Sequence, residues 1–160
     1  MSNGLQAALM PLVVMAGQGT QLPTPGTDFE LMLDGEQTGG ALAIALTATH
    51  PGGGPPPHVH QNEDEIFIVQ EGTIELWSDG AWTPAGPGSV SFLPRGVPHT
   101  YRNAGTEIAR HWVIVTPAGF DRFYARWSEE FNQPAGPDMA SLMQIAAEHG
   151  IEILGPPPAE

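Results

Sequence analysis

Two histidines and a run of acidic residues stand close together near the middle of the sequence. His58 and His60 lie two positions apart, and the acidic run Glu63-Asp64-Glu65 begins three residues later. Residues two apart in a strand share a face, so both imidazoles are expected on the same side of the chain. Two imidazoles and one carboxylate with open positions form a donor set for a divalent transition metal, namely Fe, Mn, Ni, Co or Cu.

The acidic run offers three carboxylates, of which Glu65 suits this site best. A strand that begins at Glu65, as the hairpin partner of the histidine segment, brings its carboxylate to the same place. Phe67 and Val69 share the face of Glu65 and suit a barrel interior. Glu63 and Asp64 are expected in a solvated turn, although either can replace Glu65 if the strand is shifted.

His99 is the fourth candidate ligand. It follows an apolar run, Ser89 to Leu93, and a tight segment, Pro94 to Pro98, that is expected to return the chain to the same mouth of the fold. Tyr101 shares the face of His99. Its side chain is expected either to fill the interior or to hydrogen-bond a substrate.

The surrounding sequence predicts short strands separated by turns. The 20 glycines and 17 prolines among 160 residues favour this arrangement. The predicted strands are Phe29 to Leu33, Ala41 to Ala48, Glu65 to Gln70, Thr73 to Trp77, Ser89 to Leu93 and Ile108 to Val115. Their regular spacing indicates an all-β barrel or jelly roll.

The chain after Pro117 has a helical pattern. Apolar residues recur at three- and four-residue intervals in Phe120 to Trp127 and in Met139 to His149, and Gly150 supplies a stop signal. These two helices are expected to cover one side or one mouth of the barrel.

The last predicted strand carries a pair of residues with opposite orientations. His111 and Trp112 are adjacent in Ile108 to Val115, so one of them must face inward. The pattern does not choose between them, and both are taken as core residues. Arg95, in the segment before His99, is expected either to steady an anionic substrate or to remain solvated.

The composition excludes several classes of function. A formal charge of −13 repels phosphate backbones and anionic membrane surfaces, so nucleic-acid binding is not expected. The absence of cysteine excludes disulfides, thiolate ligands and cysteine nucleophiles. No apolar run approaches the roughly 18 residues of a membrane-spanning helix, and no basic residue precedes Arg95 to form a signal peptide. The expectation is a cytoplasmic protein without membrane contacts.

Two blocks of the sequence resemble the two motifs of the cupin superfamily. The first motif, G-x5-H-x-H-x4-E-x6-G, matches Gly52, His58, His60, Glu65 and Gly72. The second, G-x5-P-x-G-x2-H-x3-N, matches Gly88, Pro94, Gly96, His99 and Asn103. The resemblance covers residues 41–115. It implies a double-stranded β-helix, or jelly-roll, barrel of six to eight strands with one metal inside, held by His58, His60, Glu65 and His99.

Within this superfamily, three segments resemble the quercetin 2,3-dioxygenase-like cupins: Pro55 to His60, Glu63 to Phe67 and Pro117 to Phe123. This resemblance implies a dioxygenase that takes O2 and a flavonol-like or other enol or aromatic small molecule, with Glu65 as both ligand and catalytic proton acceptor. The residues expected to line the substrate pocket are Phe67, Val69, Phe92 and Tyr101. The alternatives are a polyketide cyclase, an isomerase, a decarboxylase or a non-catalytic cupin that binds a small ligand.

The domain organisation follows from the same pattern. A single cupin domain is expected over residues 1–160, with an N-terminal arm (1–28), a barrel core (29–117) and a C-terminal helical segment (118–160). Small cupins that resemble this chain often pair through an edge strand, and the apolar arm can cover such an edge. A homodimer is therefore predicted.

Overall fold

Short antiparallel strands occupy the chain up to Thr116, and two helices and a final strand follow. This computed structural model describes residues 9–155, so the first eight residues of the predicted arm and the last five of the predicted C-terminal segment lie outside the description. The elements are β1 Thr20–Gln21, β2 Thr27–Leu33, β3 Ala43–Thr49, β4 His58–His60, β5 Asp64–Glu71, β6 Ile74–Ser78, β7 Ala81–Ala85, β8 Val90–Leu93, β9 His99–Arg102, β10 Ala109–Thr116, α1 Phe120–Phe131, α2 Met139–Glu148 and β11 Ile151–Ile153.

The strands form two sheets that face each other. One sheet has six strands in the order β1-β2-β3-β10-β5-β8, and the other has five in the order β11-β4-β9-β6-β7. Neighbouring strands in both sheets are antiparallel. The predicted all-β, double-stranded β-helix barrel with short C-terminal helices is confirmed.

The barrel interior follows from the two-residue period of the strands. Burial alternates strictly along β3 and β10, so every second side chain points inward. Inward residues of the larger sheet, among them Phe67 and Val113, meet Ile74 and Tyr101 of the smaller sheet in one apolar core. Burying each large apolar side chain stabilises the fold by roughly 1.5–3 kcal/mol, so the shared core holds the sheets together.

The two helices were both predicted, and each packs its apolar face inward. Helix α1 continues to Phe131, one turn beyond the predicted end, and buries Phe120 and Phe123. Helix α2 begins at Met139 and is capped by Asp138, whose carboxylate accepts hydrogen bonds from the backbone N–H groups of Ala140 and Ser141. Among residues 9–155, no helix combines the length and apolarity that crossing a bilayer requires.

All six predicted strands are present, and five further strands were absent from that set. Two of these, β4 and β9, contain the candidate histidines and are only three and four residues long. Strand β7 contains a proline, β1 spans two residues, and β11 follows a helix. Each of the five is too short or too polar to produce the alternating pattern by which strands are recognised.

Candidate functional site

The four candidate ligands come from both sheets. Strands β4 and β9 pair in the smaller sheet, where His58 lies directly opposite His99. Glu65 lies on β5 in the larger sheet, which pairs with β8 and β10. The predicted hairpin between the histidine segment and the Glu65 strand is therefore wrong. The chain crosses between sheets through residues 61–63, and the carboxylate faces the imidazoles across the barrel.

The structure brings all four side chains together inside the barrel. His58, His60, Glu65 and His99 each offer one ligand atom, and these atoms lie within 4.8 Å of one another. Glu65 Oε2 is 3.2 Å from His99 Nε2 and 3.9 Å from His60 Nε2. Opposed ligands of an ion bound at about 2.1 Å are about 4.2 Å apart, so one ion fits among these atoms with little rearrangement. The buried cluster can hold a metal ion.

Backbone carbonyls orient two of the three imidazoles. His58 Nδ1 is 2.9 Å from the carbonyl oxygen of Pro56, and His99 Nδ1 is 2.9 Å from that of Val97. With a proton on Nδ1 donated to the carbonyl, each ring directs Nε2 towards the cluster, which is the usual arrangement for a metal-binding histidine. His60 differs, because neither of its buried ring nitrogens has a hydrogen-bond partner among residues 9–155.

Burial and neighbouring charges shift the pKa values of the cluster residues in different directions. Burial and, to a smaller extent, the neighbouring imidazoles of His60 and His99 lower the pKa of His58 to about 3. Burial alone would raise the pKa of Glu65, but the hydrogen bond from His99 and the nearby imidazoles bring it below its usual value. Burial opposes protonation of His99, yet the Glu65 carboxylate raises the pKa of His99 above its usual value. These shifts favour an ionised Glu65 that accepts a hydrogen bond from His99.

A clamp holds the loop that delivers His99. Asp64 accepts hydrogen bonds from the backbone N–H, Nε and Nη2 of Arg95, at 2.9, 3.0 and 3.0 Å. The side-chain and backbone hydrogen bonds from Arg95 lower the pKa of Asp64 to about 2. The next residue, Gly96, donates its N–H to the carbonyl of His60. The prediction of a solvated turn at Asp64 is wrong, because this residue begins β5 and anchors the His99 loop.

The solvated position predicted for Glu63 is also wrong. This residue was expected in a solvated turn, but only 4% of its surface is exposed. Its Oε2 lies 3.6 Å from His60 Nδ1 and has no hydrogen-bond partner. Glu63 lies two positions before Glu65 and is in phase with the buried residues of β5, but this signal was missed because the strand was expected to begin at Glu65.

A cavity of about 150 Å³ opens onto the cluster. His58 and Glu65 border it, and most of the remaining wall is apolar or aromatic. The aromatic residues of the wall come from the barrel and from α1: Phe29, Phe67, Tyr101, Phe120, Phe123, Tyr124, Trp127 and Phe131. Helix α1 therefore covers the mouth of the barrel, which is one of the two placements expected for the helices.

The structure places the four residues expected to line a pocket in three different environments. Phe67 and Tyr101 border the cavity. Val69 points inward but lies in the core outside the cavity wall. The prediction for Phe92 is wrong: its side chain is 62% exposed, because Leu93 is the β8 residue that faces inward beside Glu65. The aromatic residues of α1 were missed, although their helical spacing placed them on one face.

The inward member of the His111 and Trp112 pair is His111, which is fully buried. Its ring packs against Phe67 and Tyr101, at centroid distances of 4.9 and 4.8 Å. Neither ring nitrogen has a hydrogen-bond partner, and burial lowers the pKa of His111 to about 4. The neighbouring hydroxyl of Thr47, opposite His111 on β3, is also unpartnered. The inner barrel thus contains neutral polar groups without partners.

Two facing antiparallel sheets with three histidines and a glutamate buried between them define a double-stranded β-helix protein with a candidate metal centre. The sequence comparison agrees with this class. Residues 45–116 match the cupin domain family.

Individual relatives and solved structures are similar to this chain over different shares of their length. Quercetin 2,3-dioxygenase from Bacillus subtilis is 30% identical over 101 residues, which is 63% of this chain but only 30% of that enzyme. Among solved structures, a predicted oxalate decarboxylase from Thermotoga maritima superposes with a TM-score of 0.61 at 21% identity, covering 66% of this chain and 99% of the other. KdgF from Halomonas sp. gives a TM-score of 0.60 at 17% identity, covering 68% and 97%. The two structures support the fold alone.

Proposed function

We propose that this chain is a metal-dependent dioxygenase that acts on a flavonol-like or other enol-bearing aromatic molecule. The observation that supports this most strongly is the position of the cavity, which touches both His58 and Glu65 and is otherwise walled largely by aromatic rings. An aromatic substrate in this cavity has its polar edge next to the candidate metal centre. The similarity to quercetin 2,3-dioxygenase supports the same reaction class.

The donor set fits one divalent transition metal. His58, His60 and His99 would supply Nε2 atoms and Glu65 would supply an oxygen, a set that suits Fe, Mn, Co, Ni or Cu better than Mg or Ca. The unpartnered Nε2 of His60, buried and directed at a carboxylate, is the kind of atom that a cation would satisfy. When bound, the metal supplies Lewis acidity and open coordination positions for an enolate oxygen and O2.

Glu65 is the residue suited to accept the proton of the substrate hydroxyl. Its carboxylate borders the cavity, and its lowered pKa keeps it ionised and ready to receive a proton. A proton acceptor positioned in this way contributes typically 10²- to 10⁴-fold to rate.

The wall of the cavity favours a flat, uncharged body for the substrate. Phe67 and Tyr101 approach edge to face, and Phe29 stacks on Tyr124 at a centroid distance of 3.9 Å. Along the described part of the chain, no arginine borders the cavity, and the sequence contains no lysine. A phosphorylated sugar would find no cationic side chain there, whereas an aromatic ring finds stacking partners.

Oxygen uptake by metal-loaded protein tests the proposal. Purified protein is stripped, reloaded with Mn, Fe, Co, Ni or Cu one at a time, and given 3-hydroxyflavone under O2. Flavone, which lacks the 3-hydroxyl, is the matched control. Uptake with 3-hydroxyflavone alone supports the proposal. Full metal occupancy without uptake on this flavonol or on quercetin contradicts the dioxygenase and favours a cyclase, isomerase, decarboxylase or ligand-binding cupin.

A further inference from the structure

Two buried polar atoms face each other beside the candidate metal centre, and neither has another partner within the described part of the chain. They are Nδ1 of His60 and Oε2 of Glu63, 3.6 Å apart. His60 is 1% exposed and Glu63 is 4% exposed. Unpartnered buried polar atoms are uncommon in folded proteins, and a buried carboxylate without a donor is especially unfavourable. The separation exceeds an ordinary N–H···O bond by only about half an ångström, so a small movement completes the bond.

We propose that Glu63 is a positioning residue for His60, whose carboxylate accepts the Nδ1 proton and so directs the Nε2 lone pair into the metal centre. This rests on the metal binding proposed above. A neutral imidazole has one donor and one acceptor nitrogen. With the proton on Nδ1, the Nε2 lone pair faces Glu65 Oε2 at 3.9 Å, an arrangement of two acceptors that a cation between them satisfies.

Glu63 distinguishes His60 from the other two imidazoles. His58 and His99 donate Nδ1 to backbone carbonyls, whereas Nδ1 of His60 faces a carboxylate. A carboxylate partner fixes the tautomer and increases the basicity of the ligating nitrogen more than a neutral carbonyl does. We therefore infer that Nε2 of His60 is the most basic of the three imidazole nitrogens and the strongest metal ligand among them.

The start of helix α1 holds Glu63 in place. A Cβ added at Gly119 would lie 2.7 Å from Glu63 Oε1, closer than real Cβ contacts. The next residue, Phe120, packs its ring 5.1 Å from the His60 ring, centroid to centroid. Gly119 thus leaves room for the carboxylate, and Phe120 confines the imidazole on its other side. A methyl group at Gly119 displaces Glu63 without removing it.

Cobalt affinity and the tautomer of His60 test this assignment together. Glu63→Gln keeps the shape but removes the charge, and the expected result is a roughly tenfold weaker Co²⁺ affinity with an altered visible spectrum. Glu63→Ala is expected to weaken binding about 100-fold, with partial recovery in Glu63→Asp. Gly119→Ala is expected to fall between wild type and Glu63→Ala. The matched control is Glu129→Gln, an exposed carboxylate on α1, which is expected to bind as wild type does.

Nitrogen NMR of the metal-free protein gives an independent readout. The His60 ring is expected to carry its proton on Nδ1 in wild type and to lose this preference in Glu63→Ala, while circular dichroism verifies that each variant is folded. Wild-type Co²⁺ affinity and an unchanged tautomer in Glu63→Gln and Glu63→Ala would overturn the assignment. If wild type binds no Co²⁺, the metal proposal fails, and the tautomer measurement alone decides whether Glu63 positions His60.

Discussion

Glu65 and His99 form a hydrogen bond of 3.2 Å across the interior of the barrel, although their strands belong to different sheets. The bond joins the carboxylate that borders the cavity to the imidazole delivered by the Arg95 loop. Burial opposes the charged form of both side chains, but the bond lowers the pKa of Glu65 and raises the pKa of His99, so it favours the ionised carboxylate inside the barrel. The proposed proton acceptor therefore depends on an element that is remote in sequence.

Shortening the Glu65 side chain separates its two proposed roles. In Glu65→Asp the carboxylate is withdrawn from the cavity but stays near the histidines, so metal is expected to remain bound with affinity weakened about tenfold. Proton acceptance requires closer geometry, and kcat is expected to fall about 100-fold or more. Metal titration and oxygen uptake measure the two effects. Glu71→Asp, at the exposed end of the same strand, is the control, and an unchanged kcat in Glu65→Asp would remove the catalytic role.

Replacing His111 tests the unpartnered polar interior. Below pH 6.5 the unfolded chain takes up a proton at this histidine that the folded chain refuses until about pH 4, so the residue lowers stability as pH falls. At about 1.4 kcal/mol per pKa unit, the gap between 6.5 and about 4 corresponds to about 3 kcal/mol. Between pH 7 and pH 4, the unfolding free energy of the wild type is therefore expected to fall by about 3 kcal/mol more than that of His111→Leu.

Urea unfolding of both proteins at pH 7 and pH 4 makes this measurement, because the other histidines and Glu65 titrate in both and cancel in the difference. At pH 7 the leucine variant is expected to be at least as stable as wild type, since it removes two unpartnered nitrogens. Equal pH dependence in the two proteins would mean that His111 is protonated normally.

Truncating Trp127 tests whether helix α1 forms part of the binding site. The indole borders the cavity and packs against Phe123 and Phe131 at 5.1 and 5.5 Å between ring centroids. Trp127→Ala is expected to raise KM for 3-hydroxyflavone about tenfold and to leave kcat and metal content nearly unchanged, because it contacts the body of the substrate. Phe92→Ala, an equally drastic truncation on the outer face, serves as the comparison. Similar KM changes in the two variants would argue against a wall formed by α1.

Two glycines of the cupin motifs differ in what surrounds them. Both Gly72 and Gly96 have positive φ, at 72° and 77°. A Cβ at Gly72 would lie 2.8 Å from the Cα of Ala109, whereas a Cβ at Gly96 meets nothing within 4 Å. Gly96→Ala is expected to cost about 1 kcal/mol of unfolding free energy from conformation alone. Gly72→Ala is expected to cost about 1–3 kcal/mol more from the collision, and equal losses by urea unfolding would contradict the close approach.

The N-terminal arm is the segment proposed to mediate a homodimer. Several of its apolar side chains are exposed, including Leu9, Met10 and Val13. Residues from Thr20 onward pair with β2, and the Pro23 carbonyl accepts a hydrogen bond from Ser128, so a deletion that preserves the fold must end before Gly17. Light scattering is expected to show a dimer for the whole chain and a monomer after this deletion. A dimer in both cases would exclude the arm from the interface.

Sequence patterns predicted the barrel and the candidate ligands for different reasons. Alternation identified the long strands, and the two motifs identified His58, His60, Glu65 and His99 as a set. The predictions were wrong where two residues adjacent in sequence have different surroundings in the structure. Glu63 and Asp64 were assigned one solvated turn, but one is buried beside His60 and the other binds Arg95. Alternation continued back from Glu65 places Glu63 inward and Asp64 outward, but their partners depend on pairing between distant strands and on the packing of α1, which local periodicity does not carry.

Strand β4, which carries two of the histidines, pairs along its length with β11 but is joined to the rest of its sheet at one residue pair. β4 pairs with β9 at a single residue pair, His58 with His99, while the fourth candidate ligand lies on the facing sheet. An ion held by all four side chains would therefore link the two sheets of the barrel. In a chain without cysteine, it would be the counterpart of a disulfide: a cross-link between segments far apart in sequence that can be removed by a chelator.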